Sequence, residues 1–165
     1  MSEENPQFIH WHKGFFTDSY TLKIGGETVG QIKEGFWCRK SKGIFQNTTI
    51  EFQRKGFFTS TTDLIDKRQQ SVIGQIRFNT WRNKATIDIN DRTFQWSFDN
   101  FWGTRWSIIK NGVSILKYKS KFNKGEIEAS VINEELILSG LFIHNYFIQI
   151  LGFMAVFVII ISASG

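Results

Sequence analysis

The 165-residue chain holds a single cysteine, Cys38, and a single proline, Pro6, and no charged side chain follows Glu135. One cysteine excludes an internal disulfide, and one proline argues against a disordered linker, so one folded unit is expected. The thiol of Cys38 lies beside Arg39 and Lys40, cations that would lower its pKa if it were exposed. The plainer reading is a structural thiol. Met1-Ser2-Glu3-Glu4-Asn5-Pro6-Gln7 is acidic and polar with no apolar core after it, unlike a signal peptide, which places the body on the cytoplasmic side as an expectation.

Catalytic signatures are also missing. The chain has no glycine-rich phosphate loop, no G-x-S-x-G elbow and no CxxC pair. His10-Trp11-His12 would put two imidazoles on one face of a strand, but no nearby Cys or acidic cluster supplies a third metal ligand. Asp63 with Asp66 and Asp88 with Asp91 fall at strand ends and turns, where Asp caps chain more often than it moves protons. The sequence is therefore read as non-enzymatic, with no cofactor and no metal.

What the chain does have is alternation. Apolar residues recur at every second position in Ile50 and Phe52, Ile87 and Ile89, Phe94, Trp96 and Phe98, and Ile127, Ala129 and Val131, the pattern of strands with one buried face. Turn signals separate the runs: Gly25-Gly26, Asn90-Asp91, Asn111-Gly112 and Lys124-Gly125. Residues 62–70 read as a short helix or a loop. A weak repeat joins Gly30-Gln31-Ile32-Lys33 with Trp37 to Gly74-Gln75-Ile76-Arg77 with Trp81, and the 106–118 hairpin has the same layout as 20–32. The body is all β, a chain of hairpins whose edges are best removed by closing the sheet into a barrel.

A large barrel needs a filling, and the tail offers one. As an α-helix the last thirty residues would run roughly 45 Å, longer than a bilayer core of about 30 Å. Strands of six to eight residues make a can roughly 20–27 Å tall, which 12–18 helical residues fill. The expected division is an N-terminal tail over 1–7, a barrel body over 8–133, and a hydrophobic helix over 134–164. In that helix 134–147, with Leu141, Phe142 and Phe147, plugs the barrel. The remainder, with Phe153, Val156, Phe157 and Ile160, emerges as a membrane anchor. His144, Asn145 and Gln149 would mark the exit. Two alternatives stay open, a helix wholly inside a soluble barrel and a single span over 141–161.

Charge supports a membrane-facing reading. All twenty Lys and Arg fall in residues 1–133 against thirteen Asp and Glu, a basic body suited to anionic partners. Lys117, Lys119 and Lys121 share one face of a strand, with Leu116, Tyr118 and Phe122 on the other. With Lys124 they are candidate contacts for anionic lipid, against the plainer role of protecting a sheet edge. Lys33, Arg39, Lys40 and Lys42 form a second cluster with the same two readings. Six Trp and seventeen Phe invite a nucleic-acid platform, for which Phe94-Gln95-Trp96-Ser97-Phe98 alternates suitably. The same alternation suits a barrel interior, so nucleic acid is not the favoured partner. Membrane lipid is, and no protein partner is identified.

Hairpins with glycine turns, then Asn133-Glu134-Glu135-Leu136-Ile137-Leu138-Ser139-Gly140-Leu141-Phe142-Ile143-His144, resemble the tubby C-terminal-like superfamily, which includes the tubby domain, the LURP-one-related proteins and the phospholipid scramblases. The resemblance covers about residues 8–147 and rests on architecture and hydropathy. It implies a closed antiparallel barrel of about twelve strands around a hydrophobic C-terminal helix, and a bias toward membrane surfaces. The chain lacks the proline-rich N-terminal segment and cysteine cluster of scramblases, so scrambling does not carry over. No phosphoinositide-binding residue of tubby maps onto a numbered position.

Overall fold

A computed structural model describes residues 5–15, 19–33, 39–56 and 60–163. Cys38 and Trp37 lie outside the described residues. Twelve strands follow in order: β1 (Gln7–Lys13), β2 (Ser19–Ile24), β3 (Glu27–Lys33), β4 (Lys40–Phe45), β5 (Thr48–Arg54), β6 (Thr61–Asp66), β7 (Ser71–Asn79), β8 (Lys84–Ile89), β9 (Arg92–Phe98), β10 (Arg105–Lys110), β11 (Val113–Lys121) and β12 (Lys124–Ala129). A 3₁₀ turn, Thr80–Arg82, joins β7 to β8, and one helix, α1 (Glu134–Ala163), ends the chain.

Each strand pairs antiparallel with its sequence neighbours, and β1 closes on β12 through the register Ile9↔Ile127 and Trp11↔Gly125. The expected closed antiparallel barrel with a C-terminal helix is what the chain forms. Closure leaves no unpaired edge. Three register shifts recur every fourth strand, opposite Leu22/Lys23, Leu64/Ile65 and Ile108/Ile109, where Val29 of β3, Ile73 of β7 and Ile115 of β11 are the extra residues. Such bulges bend a strand and sharpen its twist. Gly30 and Gly74 pair with Leu22 and Leu64, beside two of these shifts, and a Cβ on either would strike the carbonyl of Ile44 or Asp88 on the next strand. The repeated Gly-Gln-Ile thus marks equivalent points of a barrel built from three four-stranded units.

Inward positions follow the alternation: Ile50, Phe52, Ile87, Ile89, Phe94, Trp96, Ile127 and Ala129 are all buried. Three local expectations fail. Of residues 62–70 only 67–70 form a loop; 61–66 are strand β6, because Thr62 and Leu64 point inward while the strand pairs with β5 and β7. The β11–β12 turn falls at Phe122-Asn123, not at Lys124-Gly125, so Phe122 leaves the face of Leu116 and Tyr118 and stands in solvent. Val131 lies beyond β12 and is exposed.

The helix starts where its cap dictates. Asn133 Oδ1 accepts from the Leu136 amide at 2.8 Å, and Glu134 and Glu135 place negative charge in the first turn. From Leu136 to Phe147 every residue is buried. Phe142 stacks on Phe52 at 4.3 Å and Phe147 on Trp96 at 5.2 Å. Two wall side chains reach helix carbonyls: Trp96 Nε1 donates to Gly140 O at 3.2 Å, and Tyr118 OH donates to Leu136 O at 3.2 Å. The lumen is therefore filled by the chain's own helix, which leaves the barrel without a break and continues exposed to Ala163.

Candidate functional site

In an up-and-down barrel alternate connections share an end. The connections after β1, β3, β5, β7, β9 and β11 ring the end where α1 emerges, because Lys13 reaches Asn145 and the Gly103 carbonyl reaches His144. This exit end concentrates polar, cationic and aromatic groups around the departing helix.

A collar of polar contacts holds the helix as it leaves. Lys13 Nζ donates to Asn145 Oδ1 at 2.7 Å, and Tyr20 OH donates to the same oxygen at 3.3 Å. The Arg54 guanidinium lies 5.5 Å from the Phe142 ring centre and 5.3 Å from that of Tyr146, within cation–π range. The His144 ring stacks on Trp106 at 3.7 Å, and its Nε2 lies 3.3 Å from the Gly103 carbonyl, so the proton belongs on Nε2. His144 and Asn145 thus find protein partners and are buried, rather than meeting water at the exit; Gln149, one turn further on, is half-buried.

Burial pushes the His144 pKa down to about 4, with the nearby Lys13 charge acting the same way and the Gly103 carbonyl opposing both. An unfolded histidine near 6.5 takes up a proton that the folded one refuses, so stability falls as pH drops from about 6.5 and levels off near 4. The expected loss between pH 7.5 and pH 5 is about 2 kcal/mol, read as a shift in urea midpoint of the detergent-solubilised protein. His144→Phe should flatten that limb, and an unchanged pH dependence in this variant would place the proton uptake elsewhere.

The four candidate lysines divide. Lys117 pairs with Glu128 at 3.1 Å and Lys119 with Glu126 at 2.7 Å across the β11–β12 ladder. Lys121 and Lys124, by contrast, face each other directly at the turn. Lys33 and Lys42 form a second like-charge pair of this kind at the same end. Like charges directly opposed across a ladder are destabilising, which an anionic partner would offset. The closed sheet removes the edge-protection reading of the lysine row, since β11 is flanked on both sides. Lys119, Lys121 and Lys124 line an outer groove of about 840 Å³ together with Lys23, Arg105, His10 and His12 and with Glu126, the partner of Lys119, whereas Lys117 does not reach it. In the second cluster, Lys40 is tied to Glu51 at 3.4 Å.

Among the described residues no group of three His, Cys, Asp or Glu side chains is placed to hold a metal. His10 lies 3.6 Å from Glu126, and His12 Nε2 lies 2.9 Å from Asn123 Nδ2. Asp66 accepts from the amides of Arg68 and Gln69 and fixes the β6–β7 turn, while Asp63 pairs with Lys55 and Asp88 with Arg77. Phe94 and Trp96 of the aromatic alternation face the lumen.

The feature that sequence reasoning passed over is at the loop tips. Phe15, Trp81, Phe101, Trp102 and Phe122 are all largely exposed, from 80% for Trp102 to 99% for Trp81, and all belong to exit-end connections. The five hairpin turns at the opposite end, Gly25-Gly26, Gln46-Asn47, 67–70, Asn90-Asp91 and Asn111-Gly112, contain no aromatic residue. A signal was present in the sequence. Lys13-Gly14-Phe15-Phe16-Thr17 recurs as Lys55-Gly56-Phe57-Phe58-Thr59, and Asn100-Phe101-Trp102-Gly103-Thr104 takes the corresponding place in the third unit.

No protein-family model, no curated protein and no solved structure matches the chain.

Proposed function

We propose that the protein is a non-enzymatic β-barrel module held at a membrane by its C-terminal helix, with the barrel on the cytoplasmic side and anionic lipid as its partner. The observation that carries this reading is the exposure of every residue of α1 from Leu151 to Ala163, all around the helix. A helix that docks on a protein has one apolar stripe, whereas one apolar on every face needs apolar surroundings on every face. Residues 148–163 run about 24 Å, a short span against a hydrocarbon core of about 30 Å, and α1 as a whole is long and apolar enough to cross.

Cations at the exit end support both the orientation and the ligand class. Lys13, Arg54, Arg82, Lys121 and Lys124 surround the point where the helix leaves, as flanking Lys and Arg do on the cytoplasmic side of a span. The paired Lys121 and Lys124 and the groove beside them suit phosphate-bearing headgroups, each lysine contributing about 1 kcal/mol near an anionic surface. The occupied lumen supports binding at the outer surface rather than capture of a small molecule within. Kinship with the tubby-like superfamily is supported by the shared architecture of a twelve-stranded barrel around a helix.

Alkaline carbonate extraction of membranes from cells expressing the intact chain tests the proposal. Retention in the pellet and release by detergent are expected. Complete recovery as a soluble monomer would overturn it.

A further inference from the structure

We propose that the exit-end loops form a membrane-docking surface: the aromatic tips Phe15, Trp81, Phe101, Trp102 and Phe122 sit in the headgroup layer of the bilayer that takes residues 148–163, so that the barrel stands end-on rather than swinging on its tail. This rests on the reading of 148–163 as a membrane span and adds a second, independent contact to it.

The first argument is one of length. Phe147 is fully buried in the barrel, Leu151 is already 46% exposed, and α1 runs between them without a break. Four helical residues advance about 6 Å, and the headgroup layer on one side of a bilayer is about 5–7 Å deep. With no flexible linker between plug and span, the loops around the exit lie within about one helical turn of the level at which residues 148–151 enter the hydrocarbon.

The second argument is chemical. Trp is enriched at that depth, and exposed Phe rings are apolar surface that contact with the bilayer removes from water. Here they occupy one end of the barrel and are missing from the hairpin turns of the other. Phe122 adds a structural sign. It stands at the tip of its hairpin with φ +57°, a conformation usually left to Gly or Asn, yet it carries a bulky ring that is 92% exposed and has Lys121 before it. A turn that favours folding alone would place Gly or Asn there.

The third argument is repetition. The Lys-Gly-Phe-Phe-Thr motif occurs twice in the chain, and the described exposed tips fall in four exit-end connections, β1–β2 (Phe15), β7–β8 (Trp81), β9–β10 (Phe101 and Trp102) and β11–β12 (Phe122). Exposed aromatic tips in four of the six connections around the departing helix oppose tilting of the barrel on its span.

The test uses the full chain reconstituted in phosphatidylcholine–phosphatidylglycerol vesicles containing lipid brominated near the carbonyl end of the acyl chain, which quenches Trp fluorescence at shallow depth. In a Trp37→Phe background the chain is compared with the same chain carrying Trp81→Phe, Trp102→Phe or both, changes that leave the buried Trp11, Trp96 and Trp106 in place. We expect the quenched part of the emission to fall about twofold or more in the double variant, as interfacial Trp side chains require. If the protein resists carbonate extraction but the quenched part is unchanged by the substitutions, the loops face water or a second copy of the chain and the docking inference is overturned while the anchor stands. If the protein is not retained at all, the anchor reading fails and the docking surface with it.

Discussion

Val156→Arg is expected to release the protein from carbonate-washed membranes as a folded monomer. Val156 lies at the midpoint of residues 148–163 and is exposed, away from the residues buried in the barrel. An arginine at the centre of a span costs about 2.5–3.5 kcal/mol on insertion scales, roughly a hundredfold in the insertion equilibrium. The span is short, so the remaining apolar residues have little surplus to offset that cost. Val156→Leu should stay in the pellet as the parent does. Release is read by carbonate extraction, and integrity of the barrel by near-ultraviolet circular dichroism of the supernatant. A variant that remains in the pellet, or that leaves it only as aggregate, would show that residue 156 does not sit at mid-bilayer.

The fold was legible because its main determinants are local and periodic. Alternation at Ile50–Phe52 and Ile87–Ile89 marks inward faces, Asn90-Asp91 and Asn111-Gly112 supply positive-φ turns, and the cost of open edges leads from many short strands to a closed sheet. Residues 62–70 misled because a Thr- and Asp-rich strand has weak alternation; its inward Thr62 is polar, and only the pairing with β5 and β7 identifies it. The lysine row could be placed on one face by spacing, but not its partners. Which lysine meets Glu126 or Glu128 and which meets another lysine depends on the β11–β12 register, set by a turn one position pair away from where the glycine suggested. The aromatic loop tips were hidden for a related reason. In an all-β chain a Phe or Trp reads first as core, and only the order of strands around the ring shows that alternate connections share one end.

Phe142→Ala should have the largest effect on stability. The side chain lies on the part of α1 that fills the lumen, stacked face to face on Phe52 at 4.3 Å, with Phe78 at 6.5 Å and the Arg54 guanidinium 5.5 Å away. Removing a buried phenyl ring forfeits its transfer energy and leaves a cavity, about 3–5 kcal/mol together. The barrel wall is a closed ladder and cannot collapse inward to refill the space, which argues for the upper part of that range. Domains of this size are stable by about 5–15 kcal/mol, so the variant approaches the point of unfolding. Urea unfolding in detergent measures the difference, and Phe142→Leu, which keeps most of the volume, should recover a good part of it. The contrast with Val156→Arg is the stronger result. Both changes lie on one continuous helix, yet one is expected to destabilise the barrel and leave the anchor in the membrane, while the other frees a folded barrel. A Phe142→Ala variant destabilised by less than about 1 kcal/mol would mean that the lumen does not depend on the helix for its packing.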